Sequence, residues 1–168
     1  QLPSYPNTSI GNKFSQNTIK QAIGNTHPEG RESDRVFEVD DFARRKEKLD
    51  QVKAKLEKEY GVVVQTFKVD LSDIENIESF FDEIRDTDID VVINNAGLAL
   101  GKASFEDYAW EDFSQMIDIN IKAFTKVAQL AIPHLKRTSG HIVNISSVAG
   151  IEAYEGGSVY CGSKAYVK

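Results

Sequence analysis

The sequence predicts an α/β fold, a parallel sheet with helices on both faces. Two observations carry that expectation. From Phe42 onward, stretches with a helical hydrophobic period alternate with short apolar runs, and such alternation implies strands joined by helical crossovers. The runs at 62–69 and 90–93 are largely apolar, as strands covered on both faces are. A corollary follows for the polar residues. Asn94 and Asn95, Ser146 and Ser147, and the turn after Val69 all fall at strand ends. In open parallel sheets, ligands bind outside the carboxyl ends of the strands, so these residues are expected on one edge.

Taken in order, residues 1–41 differ from the rest. They are rich in Asn, Ser, Thr, Gly and Pro and are expected to be largely irregular. Phe14, Thr18, Ile19 and Ile23 suit one short, weak helix. Val36, Phe37 and Val39 suit a strand, but Asp40 and Asp41 argue against burying it. Residues 42–168 form the regular region, read as a partial dinucleotide-binding and catalytic domain. An amphipathic helix is expected over 43–60, with Leu49, Val52, Leu56 and Tyr60 on one stripe and Gly61 ending it. The strand at 62–69 leads to Ser72 and Glu75, spaced as a capping box. Ile74, Ile77, Phe80, Phe81 and Ile84 give the next helix its buried face. After the strand at 90–93, a long helix is expected over 110–135. Its inward residues would be Met116, Ile117, Ile121, Phe124, Ala128 and Ala131, and Pro133 would kink or stop it. A strand at 141–146 follows, and Ser158 would cap a last helix.

The chain has 168 residues, 40% hydrophobic and 27% charged, which is enough for one domain with a core. A net charge of −6 argues against nucleic acid or an anionic membrane as partner. The single cysteine, Cys161, forms no internal disulfide and reads as a small core residue. With no signal peptide and no long apolar span, a cytoplasmic, soluble protein is expected. His27, His134 and His141 lack ligand spacing, so no metal is expected. Tyr108 and Trp110 are assigned to packing at a helix start.

The chemistry centres on the last helix. Tyr160 and Lys164 are four residues apart, one turn along one face. A cation beside a phenol favours the phenolate. Ser147, thirteen positions before the tyrosine, adds a hydroxyl able to bind the same substrate oxygen. Together they would give and take a proton at a carbonyl–alcohol pair. Tyr-x-x-x-Lys alone also occurs by chance on helix surfaces. Asn120 interrupts an apolar helical face, which is costly unless its side chain is bonded.

These residues, with Asn94–Asn95–Ala96–Gly97 after an apolar run and IDINI at 117–121, resemble the short-chain dehydrogenase/reductase family. The resemblance covers most of the chain, from about Phe42 to Lys168. It implies a Rossmann-like doubly wound sheet and the catalytic set Asn120, Ser147, Tyr160 and Lys164. Tyr160 would exchange the hydroxyl proton and Ser147 would orient the substrate oxygen. Lys164 would lower the tyrosine pKa and bind the nicotinamide ribose, and Asn120 would hold a water in a proton relay. For the cofactor, it implies contacts from Asp70 to the adenine, from Asn94, Ala96 and Gly97 along the adenine ribose, and from Tyr160 and Lys164. Arg44 and Arg45 would bind a 2′-phosphate, which implies NADP rather than NAD. Each has a plainer reading: solvated charges for the arginines, a turn cap for Asp70, a structural tie for the asparagines.

Within the family, NNAGLALG and AYEGGSVYCGSKA look most like the NADP-dependent 3-hydroxy acid and serine dehydrogenases. The implied substrate is a small hydroxy acid or hydroxy amino acid, with a broad carbonyl reductase as the alternative. The implied assembly is a homo-oligomer, dimer or tetramer. The family's TGxxxGxG turn does not precede Arg44; Gly11, Gly24 and Gly30 are isolated. The last residue, Lys168, is four past Lys164. The expected sheet is therefore incomplete, lacking its first strand and its C-terminal strands. A non-catalytic fragment or interaction protein is the second alternative.

Overall fold

A computed structural model describes the backbone at 35–40 and 46–168 and the side chains from Asp50 onward. Arg44, Arg45, the helix suggested around Phe14–Ile23 and the start of the 43–60 helix lie outside the described residues.

The first element among the described residues is a strand, β1 (Arg35–Asp40), inside the region expected to be irregular. It pairs in parallel with β2 (Val63–Lys68), from Arg35↔Val63 to Asp40↔Lys68. Asp40 is the last residue of the strand and pairs with Lys68; Asp41 lies outside the described residues. Between the two lies α1 (Lys46–Tyr60). Its last turn closes where the Gly61 N–H donates to the Glu57 carbonyl at 3.0 Å. Leu56, Val62 and Val64 make a small core there, with Val52 and Tyr60 against it. Val64 is fully buried while Val63 is 55% exposed, so β2 alternates and one face stays open among the described residues.

The helix α2 (Ile74–Glu83) starts one residue later than the capping-box spacing suggests. Asp70 accepts from both the amide and the hydroxyl of Ser72, at 2.9 and 2.6 Å. That turn engages Ser72, and Asp73 becomes the N-cap, accepting from the Glu75 amide at 2.9 Å. Strand β3 (Val91–Asn94) pairs in parallel with β4 (His141–Asn144), from Val91↔His141 to Asn94↔Asn144.

Between β3 and β4 runs one long helical stretch: α3 (Trp110–Ile117), a π-helical segment (Asp118–Ala123) and α4 (Phe124–Thr138). The wider π turn shifts the inward stripe. Ile119, Asn120 and Ala123 are buried, whereas Ile117 and Ile121, expected inward, are half-buried. Pro133 neither stops nor ends the helix, which continues to Thr138. The residues around it are anchored: Ala131 and Leu135 are buried, and His134 Nδ1 lies 2.9 Å from the Thr87 carbonyl. The main core joins Val69, Leu71, Ile77, Phe81 and Ile84 to Ile119, Ala123, Ala131 and Leu135. Burying each large apolar side chain contributes about 1.5–3 kcal/mol. The final helix is α5 (Ser158–Val167); Gly157, not Ser158, holds the N-cap position.

The described strands thus form two parallel pairs, β1–β2 and β3–β4. The fold is Rossmann-like α/β with a partial parallel sheet, as expected.

Replacing Asp73 by Ala should destabilise the fold by about 1 kcal/mol through loss of the cap. Ser72→Ala should cost less, because Asp70 keeps the Ser72 amide. Urea unfolding of the two variants checks the order; a larger effect at Ser72 would contradict this capping geometry.

Candidate active site

The two serines after β4 have different partners. Ser146 donates its hydroxyl to the Lys164 carbonyl at 2.6 Å. It therefore satisfies an end-of-helix acceptor of α5. Ser147 caps the short turn Val148–Gly150, its oxygen accepting from the Ala149 amide at 3.2 Å. That bond uses the oxygen as acceptor and leaves the hydroxyl proton available.

Helix α5 carries Tyr160 and Lys164 one turn apart. Tyr160 is half-buried; Cys161, Ser163 and Lys164 are buried. Lys164 is only 6% exposed, and its Nζ donates to the Ile145 carbonyl at 3.2 Å. Burial holds its pKa below the ordinary lysine value, because desolvation disfavours the charged form. Gly97 leaves room for it: a Cβ there would stand 3.1 Å from Lys164 Nζ and 3.3 Å from Asn120 Oδ1. The absence of a side chain at 97 thus admits both the ammonium and the amide.

Asn120 sits in the π segment and is 1% exposed. Its Oδ1 accepts from the Leu98 amide at 2.8 Å. Its Nδ2 donates to the Leu98 carbonyl at 2.8 Å and to Ser163 Oγ at 3.0 Å. Ser163 in turn donates to the Tyr160 carbonyl at 2.8 Å. The Asn120 side chain is thus held by three bonds to the protein. It joins the loop after β3 to the helix that carries Tyr160.

Asn94 is 4% exposed, and its amide donates to the Phe124 carbonyl at 3.0 Å. This ties β3 to α4 and turns the amide inward. Asn95 is half-buried, Ala96 packs against the main core, and Gly97 is exposed beside Lys164. Asp70 is exposed at the end of β2 and occupied by the Ser72 turn. Ser147, Tyr160, Lys164, Asn120, Ala96 and Gly97 gather at the carboxyl ends of β3 and β4. Arg44 and Arg45 lie outside the described residues. Two further side chains make bonds that the sequence does not announce: Ser163, and Tyr108, which was assigned to packing. Ser163 precedes Lys164 and follows Tyr160 by three, which places it one turn along the helix from the tyrosine. Tyr108 donates to the Leu100 carbonyl, and nothing in its neighbouring residues signals that.

Among the described residues, no helix is long and apolar enough to cross a membrane. The short chain dehydrogenase family profile matches residues 35–168. The NADP-dependent 3-hydroxy acid dehydrogenase of Schizosaccharomyces pombe is 38% identical over 125 residues, covering 73% of this chain and 48% of its own length. The serine 3-dehydrogenase of Agrobacterium fabrum is 36% identical, covering 74% of this chain and 49% of its own length. The crystal structure of serine dehydrogenase from Escherichia coli superposes with a TM-score of 0.72 at 31% identity, over 92% of this chain and 66% of that one. The chain spans about half the length of these curated relatives. Its fold and the family match over 35–168 make the chain a member of the short-chain dehydrogenase family.

Proposed function

We propose that the chain belongs to an oxidoreductase that moves hydride between NADP(H) and a small hydroxy acid or hydroxy amino acid, at a 3-hydroxyl. One observation carries the reading: a desolvated Lys164 one turn behind Tyr160, with the Ser147 hydroxyl proton available at the neighbouring strand end. The residues fit a dinucleotide. Ala96 and Gly97 give a small-residue path beside the Lys164 ammonium, as a ribose edge requires. When bound, the nicotinamide supplies hydride donor and acceptor chemistry.

The chain's own residues do the rest. Ser147 donates a hydrogen bond to the substrate oxygen and fixes its position. Tyr160 takes the hydroxyl proton in oxidation and returns it in reduction. Lys164, held by Ile145 one turn along α5 from Tyr160, reaches the ribose. Asn120 keeps the Leu98 loop against α5 and serves the proton relay. Asn94 holds the segment in place, and Asp70 lies at the adenine end. Arg44 and Arg45 bind the 2′-phosphate and select NADP over NAD. A cytoplasmic homo-oligomer is part of the same reading. The relative named NADP-dependent 3-hydroxy acid dehydrogenase supports the cofactor and substrate class.

Val148 and Ile151 next to Ser147 are 71% and 70% exposed. This apolar rim favours a second reading, a broad carbonyl reductase. Oxidation of serine and 3-hydroxy acids compared with reduction of apolar ketones separates the two.

Saturating NADPH at 100 times Kd should stabilise the chain by about 2.7 kcal/mol. NADH should do much less, and Ala at both Arg44 and Arg45 should narrow the difference. A melting curve that responds to neither cofactor would sink the reading. Tyr160→Phe should lower turnover by about 10²–10⁴-fold, the scale of general acid–base catalysis, with NADPH affinity little changed.

Lys164 sets a pH dependence. Its folded-state pKa lies below the value of 10.5 for the free group. Between the two, the unfolded chain holds more protons, so stability rises with pH. Unfolding measured through that window should show the rise in the wild type and a flatter profile in Lys164→Met. Equal slopes would contradict the burial argument.

A further inference from the structure

The loop after β3 is fastened to α5 at one point by Asn120, which joins Leu98 to Ser163. A second fastening lies on the outside. The Tyr108 hydroxyl donates toward two carbonyls, Leu100 at 2.8 Å and Gly156 at 3.1 Å. Leu100 is two residues along the same loop from Leu98. Gly156 is two residues before α5 begins. The Asn120 and Tyr108 bonds therefore bracket Tyr160 on the α5 side, one after it at Ser163 and one before it at Gly156.

The surroundings of Tyr108 suit this function. Its ring stacks on Phe113, with centroids 4.6 Å apart and planes 22° from parallel. Phe113 is buried at the start of α3, so the phenol projects from a fixed base. Gly156 has φ +76°, and a Cβ there would stand 3.1 Å from Lys102 Cγ and 3.2 Å from the Ala103 carbonyl. The segment before α5 thus lies directly on the loop that Tyr108 holds. Burial raises the Tyr108 pKa, with Asp112 and then Cys161 adding to it, so the hydroxyl remains a donor into the alkaline range.

We propose that Tyr108 is a positioning residue, a hydroxyl latch that joins Leu100 to Gly156 and so fixes Tyr160 against the Ala96–Gly97 segment. Its catalytic consequence rests on the functional reading above. Without the latch, the loops before and after the site part, and the phenol of Tyr160 loses its fixed distance from the reacting carbon. Misplacements of about 1 Å can cost two orders of magnitude in rate.

Tyr108→Phe tests this, because it keeps the ring and its stacking on Phe113. Amide hydrogen exchange of the wild-type and variant chains, with melting temperature as a check on folding, reads the latch directly. Faster exchange is expected in the segments around 98–104 and 154–160 together, with β3 and α4 unchanged. In turnover, kcat should fall on the order of ten-fold or more while NADPH affinity moves by less than about two-fold. Unchanged exchange in either segment, or loosened segments with an unchanged kcat, would overturn the proposal. A wild-type chain that neither binds NADPH nor turns over would overturn the functional reading and the catalytic consequence with it. The exchange comparison would still decide whether the latch exists.

Discussion

The side-chain amide of Asn120 is the interaction on which the site depends. It meets both backbone groups of Leu98 as a neighbouring strand would, and it also reaches Ser163. Such an amide in a dry interior is costly unless fully bonded, and here three bonds satisfy it. The same bonds set three elements in register: the π segment, the loop leaving β3 and the helix α5. The π turn itself brings Ile119, Asn120 and Ala123 inward together. A regular helix would spread these positions differently around its axis. The backbone irregularity and the polar side chain therefore form one device.

Lys164 shows what that device makes possible. A lysine with 6% of its surface exposed is unusual. It is tolerated because Ile145 accepts from it and because Gly97 leaves a space at its tip. Ser146 holds the backbone of the same residue from below. Desolvation and tight placement together depress the lysine pKa and keep its tip beside the cofactor-facing segment of the proposed site. Packing, hydrogen bonding and proton chemistry meet in one residue.

Much of this was legible in the sequence, and the reasons differ by residue. Tyr160 and Lys164 are carried by spacing on a helix, Ser147 by a strand end and Asn120 by its place on an apolar helical face, while their roles come from the family resemblance. Ser146 donates its hydroxyl to the Lys164 carbonyl, whereas Ser147 accepts from the Ala149 amide, a difference that the adjacent positions do not announce. Other features were hidden. Ser72 matches the capping box, but Asp70 binds it first and the cap passes to Asp73. Two local patterns competed, and the turn won. Pro133 suggests a helix end, yet tertiary anchoring carries the helix past it. Val36, Phe37 and Val39 gave a strand signal that adjacent acids obscured; pairing with β2 resolves it. Tyr108 looked like packing because long-range carbonyl partners leave no trace in local sequence.

The division of the described strands into two pairs has a consequence for cooperativity. The β1–α1–β2 portion has a small cluster of its own, Leu56, Val62 and Val64, while Phe67, Val69 and Leu71 connect it to the main core. Such a portion can open sub-globally at lower free energy than the rest, as a separate foldon. It contains β2, which ends two residues before Asp70. A nucleotide bridging both halves would therefore act as a thermodynamic link between them, suppressing the partial opening by mass action. Ligand affinity and the order of the adenine-side half would be two views of one equilibrium.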